Sequence, residues 1–88
     1  MNYVLIKHKV ADFDPWKSAY DEHEGTRQTM GLKEVHLLRE RGNPNLVVLL
    51  FHAADPERAT AFIQSEDLKS IMKKAGVMGM PEILFLND

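Results

Sequence analysis

An 88-residue chain without cysteine is expected to form one domain that holds together without disulfides and carries no thiolate chemistry. Its formal net charge of −2, with acidic and basic residues interspersed, argues against a nucleic-acid partner, which needs a basic face. The longest apolar run, Leu46 to Phe51, falls far short of the ~20 residues of a membrane span, and Met1-Asn2-Tyr3 lacks the charged start of a signal peptide. A cytoplasmic protein is therefore expected. A domain this short hides only about 60–65% of its unfolded surface, so oligomerisation is an expected source of stability.

One pattern occurs twice along the chain. An apolar run ends in Ala-Asp or Ala-Ala-Asp, an Asp-Pro pair opens a helix, and a lone Gly leads into the next apolar run. Tyr3 to Val10 reads as the first strand. Asp14 is the expected cap of the first helix, with Pro15 at its first position, where a missing N–H is harmless. Trp16, Tyr20, His23, Arg27 and Met30 follow at steps of three and four and form its inner stripe. Asp21, Glu22, Glu24, Gln28 and Thr29 fall outside that stripe and should face water. Gly31 is the expected left-handed stop.

Leu32 to Arg41 alternates, with Val35, Leu37 and Arg39 on one side and His36, Leu38 and Glu40 on the other. Arg41 to Asn45 reads as a turn and Leu46 to Ala53 as a strand, so the two strands form a hairpin. Asp55 should cap the second helical segment, whose inner stripe is Ala59, Phe62 and Ile63. The apolar spacing then changes phase to Leu68, Ile71, Met72 and Ala75. Ser65, a good cap, sits at the jump, so the spacing predicts two helical pieces broken there. Gly76 to Met80 reads as a loop. Pro81 belongs at a strand start or on a sheet edge, and Glu82 to Leu86 forms the last strand.

The order β-α-β-β-α-β is the split βαβ, ferredoxin-like, α+β arrangement. Right-handed crossovers place the strands in the order fourth, first, third, second, all antiparallel, with both helical segments on one face. The other face should then be polar, but Leu46 to Phe51 and Ile83 to Leu86 are apolar on both sides. No spare element can cover them, and such a patch exceeds what monomers usually tolerate. At ~25 cal/mol per Å², hiding it contributes on the order of 10 kcal/mol before association costs. A face-to-face homodimer is expected.

The chain resembles the dimeric α/β-barrel superfamily, and within it the antibiotic-biosynthesis monooxygenase-like proteins. Residues 8–13 (His-Lys-Val-Ala-Asp-Phe), Trp16-Lys17, Asp21-Glu22-His23, Arg27 and Gly31 are similar to a subgroup of small bacterial proteins often called cyclases. Phe62-Ile63, Leu68, Met72, Ala75-Gly76-Val77 and the ending Pro81 to Leu86 extend the resemblance over nearly the whole chain. The superfamily includes cofactor-free oxygenases, haem-degrading enzymes, isomerases and proteins with no established activity. The Asn, Trp and His set of the haem-degrading type has no match here, because Trp16 lies at a helix start and no Asn falls within an expected strand. The resemblance therefore implies the fold and a barrel-like dimer, and not one reaction.

Two groups of residues could carry chemistry. If the hairpin pairs Arg41 with Asn45, His36 and His52 share the open face with Leu38, Val48 and Leu50, and point into the barrel of the dimer. His8 could join them, although Val4 and Ile6 suit either face of the first strand. Imidazoles in an apolar cavity can act as general bases near neutral pH, or they can simply hydrogen-bond across strands. The second group is His23 and Arg27, with Trp16 and Tyr20 as an aromatic wall. Arg27 could meet a ligand carboxylate or enolate with His23 as acid or base; the favoured reading is structural, with its stem packed on the sheet and its head paired to an acid such as Glu34. No His-Glu-x-x-His helix or cysteine pair marks a metal site, so no metal is expected. The sequence thus points to a small cofactor-independent enzyme acting on a flat, partly apolar molecule by monooxygenase-, cyclase- or isomerase-like proton abstraction. The alternative is a non-catalytic dimer that binds a small apolar or aromatic ligand or another protein.

Overall fold

A computed structural model describes residues 1–88. The elements are β1 (Asn2–Val10), α1 (Phe13–Glu22), α2 (Glu24–Thr29), β2 (Leu32–Glu40), β3 (Asn43–Ala53), α3 (Pro56–Ile63), α4 (Glu66–Lys74) and β4 (Val77–Asn87). The four strands form one antiparallel sheet in the order β2-β3-β1-β4. This is the order expected from right-handed crossovers. No helix is long and apolar enough to cross a membrane.

The helices cover one face of the sheet. Val4, Ile6 and Val10 of β1 and Val47, Leu49, Phe51 and Ala53 of β3 are buried beneath Trp16 of α1 and Ala59 and Ile63 of α3. Strand alternation turns the intervening residues to the opposite face. There, Leu38 is 55% exposed, Leu84 46% and Leu86 41%, so the open face carries large apolar side chains.

The expected break after the second helical segment occurs at Ser65. Its hydroxyl accepts from the Leu68 N–H at 3.2 Å and donates to the Phe62 carbonyl at 2.6 Å, closing α3 and opening α4. Asp55 caps α3 as expected, accepting from Arg58 N–H at 3.2 Å. Gly31 turns into β2 with φ 77°, where a Cβ would be strained.

Several local expectations need correction. The first helix starts at Phe13 with Asp12 as N-cap, so Asp14 lies in its first turn rather than capping it. It also does not run unbroken to Gly31. At His23 the backbone N–H turns to the Tyr20 carbonyl, while the Arg27 guanidinium donates to that same carbonyl at 2.7 Å. His23 Nδ1 donates to the Ala19 carbonyl at 3.0 Å in the tautomer that carries its proton there. Two side chains thus occupy carbonyls of the last turn of α1, and Gly25, a poor helix former, follows at once. The hairpin turn is only Arg41-Gly42, because β3 resumes at Asn43 and absorbs Pro44 in a register shift. Val35 is the extra residue of a bulge in β2 and lies exposed, not under the helices as alternation required. The last strand begins at Val77, so the expected loop is strand. Gly79 to Pro81 bulge from this edge between the Lys9–Met78 and Lys7–Glu82 pairs.

The caps give a direct check. Ser65→Ala should lower the unfolding free energy by ~1 kcal/mol in urea denaturation, while Asp12→Ala, whose side chain makes no cap bond, should change it by less than about 0.5 kcal/mol. Equal losses for the two variants would contradict the assignment.

Candidate functional site

The side chains of β1 at even positions all turn towards the helices, and this row places His8 between Ile6 and Val10. His8 is only 5% exposed, and neither ring nitrogen has a hydrogen-bond partner. It therefore does not share a face with His36 and His52. Its ring meets the Trp16 indole edge-on, with centroids 5.4 Å apart at 73°. Burial disfavours the charged imidazolium and lowers its pKa from 6.5 to about 4. His8 is consequently neutral at pH 7, with one N–H to donate and one lone pair to accept.

His8 faces a chamber of about 80 Å³ between the sheet and the helices. Ile6, Leu49 and Phe51 form its floor, Trp16, Tyr20, His23 and Arg27 one side, and Leu68, Ile71, Met72 and Ala75 the wall contributed by α4 and its end. The helical stripe read from the sequence thus converges on a histidine that alternation alone left ambiguous. Trp16 stacks on Tyr20 at 5.0 Å and 23°, and the Arg27 guanidinium lies 3.6 Å from the Tyr20 ring centroid. The Tyr20 hydroxyl donates to Glu34 Oε1 at 2.7 Å. Burial and that hydrogen bond push the phenol well above its usual pKa, while the Arg27 charge opposes them. Arg27 therefore pairs with the carbonyl and ring of Tyr20 rather than with Glu34, the expected acid.

His36 and His52 occupy the open face. His36 pairs with Leu50, Leu38 with Val48, and His52 with Lys33 on one side and Tyr3 on the other. The Tyr3 and His52 rings meet edge-on at 5.7 Å. His36 is exposed and His52 half-buried. Nowhere do three or more His, Asp or Glu side chains converge as a metal site would require.

No protein-family model matches the chain, and no curated protein matches it in sequence. Solved structures match closely in shape. An antibiotic biosynthesis monooxygenase superposes with a TM-score of 0.71 at 12% identity, covering 100% of this chain and 98% of its own. A candidate antibiotic biosynthesis monooxygenase from Bordetella bronchiseptica gives 0.74 at 14% identity, covering 99% and 95%. An uncharacterised NIPSNAP domain protein from Burkholderia xenovorans gives 0.66 at 11% identity, covering 100% and 94%. The chain has the ferredoxin-like fold of the antibiotic biosynthesis monooxygenase-like structures, as the resemblance in sequence implied. At these identities the likeness establishes the fold, and any activity must be argued from the site.

The buried histidine has a thermodynamic signature. The unfolded chain binds a proton at His8 as pH falls through 6.5, whereas the folded chain resists until about 4. The stabilisation present above pH 6.5 is lost across that window, by about 3 kcal/mol at pH 4. Urea denaturation at pH 7 and pH 4 should show wild type losing about that much more stability than His8→Leu. Parallel losses would mean that His8 is hydrated.

Proposed function

We propose that the protein is a small cofactor-independent enzyme acting on a flat, partly apolar molecule held in the helix-side chamber, with His8 as proton acceptor. The observation that carries this reading is a neutral, buried imidazole with both nitrogens unpartnered, facing a mostly apolar, aromatic-walled space that also holds His23 and Arg27. A buried polar group without a partner is costly. A ligand O–H or acidic C–H supplies the missing bond. When the proton transfers, the ligand's O–H or C–H bond breaks, an N–H forms on His8, and the electron pair remains on the ligand as an enolate or phenolate.

The apolar lining couples this transfer to occupancy. An isolated imidazolium is disfavoured there, but one formed beside the ligand anion is paired at once. Arg27, on the same wall, retains guanidinium N–H groups beyond the one given to the Tyr20 carbonyl, and these can face the developing charge. The monooxygenase names of the structural neighbours make oxygenation by dioxygen the first reaction to assay.

A homodimer is part of the proposal, because the apolar side chains of the open face have no cover within the chain. In that dimer His36, His52, Leu38, Val48 and Leu50 lie at the seam between copies. The lack of cysteine fits a reducing cytosol.

Oxygen uptake with naphthol as probe tests the assignment. His8→Gln should reduce turnover by 100-fold or more, in the range of a lost general base. The double variant His36→Gln/His52→Gln should stay within several-fold of wild type. The acid limb of kcat/KM should fall near pH 4, and a limb near 6.5 would remove His8 from the role. Sedimentation equilibrium should show a dimer that persists at low micromolar concentration; a monomer there would refute the seam.

A further inference from the structure

The chamber alone is too small for its proposed task. At about 80 Å³ it is below the 300–1,000 Å³ typical of ligand pockets, and even an engineered cavity that takes benzene is nearly twice as large. A second cavity of about 380 Å³ adjoins it on the other side of α4. Ile63 and Met72 line both spaces and form the partition between them. Ile63 is buried and β-branched, hence stiff, but Met72 is half-buried and unbranched, with three rotatable bonds. A rotamer change at Met72 is the smallest movement that would merge the chamber with the groove.

The groove carries its charge at an exposed rim. Its floor is Val77, Met80, Pro81 and Ile83 of β4, and its rim is Lys69 and Lys73, one turn apart on α4. The floor is shaped by the bulge of β4, which leaves Met80 94% exposed and lies opposite His8 in the register of β1. Lys69 contacts Glu66 at 3.6 Å, an exposed pair that contributes little, and Lys73 makes no ion pair. No acidic side chain lines the groove.

We infer that the ligand is elongated and bears an anionic arm, lying in the single space that chamber and groove form once Met72 moves, with its apolar end towards His8 and its carboxylate between Lys69 and Lys73. This rests on the helix-side chamber as the site and adds the chemical class of what enters it. His8 is neutral and the chamber's one cation, Arg27, stacks on Tyr20, whereas the lysines stand exposed at the groove rim, so the standing charge of the ligand belongs on the arm. Met72 sets the reach between them.

Phenylbutyrate and its neutral counterpart phenylbutanol share ring and arm and differ in the terminal charge. Calorimetric titration at low salt should give about fivefold tighter binding of phenylbutyrate, the size expected for exposed ion pairs. Lys69→Glu/Lys73→Glu should abolish or invert that preference and leave phenylbutanol affinity unchanged. High salt should weaken the preference in wild type. Met72→Trp should weaken both probes, while circular dichroism confirms that each variant remains folded. Equal affinities of the two probes for wild type, or a preference that survives in the lysine variant, would overturn the inference. If His8→Leu still loses phenylbutanol in either case, the chamber remains the site and only the anionic arm is wrong. Failure of wild type to bind either probe would overturn both readings.

Discussion

The two-residue period of β1 is the constraint from which the site follows. Once Val4, Ile6 and Val10 turn under the helices, His8 has no choice but to turn with them. A strand cannot rotate one residue out of phase without moving its whole apolar set to the other face. The aliphatic row therefore holds an imidazole in the core against its own desolvation. Nothing in the chain compensates this with a hydrogen bond. A stabler core would place an aliphatic residue there, and real proteins break such local rules mainly at functional sites.

The helix layer is shaped around the same point. Trp16 closes over His8, Tyr20 stacks on Trp16, and Arg27 stacks on Tyr20, so charge is met only at the outer end of a graded wall. The break at His23 lets Arg27 reach the Tyr20 carbonyl and ring together. The opposite wall is built differently. No residue of α4 is fully buried, although its apolar stripe faces inward. The side containing Trp16 is rigid core, and the side containing Met72 is the one with freedom to yield.

Much of the fold was legible from residues alone. Ser65 marked its helix break because an apolar phase jump and a capping hydroxyl coincided. Gly31 and Asp55 marked their boundaries because their roles are local. Trp16, Tyr20, His23 and Arg27 were legible as one helical face. What could not be read was everything that depends on a partner strand. The facing of His8 was hidden because Leu5 and Ile6 are both apolar, so β1 does not alternate cleanly until Lys7 and Lys9. The bulges at Val35 and at Gly79 to Pro81 arise from register with β3 and β1, which no single segment encodes. The break at His23 depends on two side chains competing for backbone carbonyls, a contest that helical spacing does not display. The union of His8 with the helical stripe therefore needed the sheet.

Everything proposed for the site depends on His8 being buried and neutral beside the chamber, and its own titration tests this most directly. NMR of ring-labelled histidine, with the His8 resonances assigned by comparison with His8→Leu, reads its protonation without unfolding the protein. The His8 signals should stay in the neutral form from pH 8 down to pH 5 and begin to shift only towards about 4. A midpoint near 6.5 in the folded protein would mean that water reaches the imidazole, and the chamber would then not be the apolar site described.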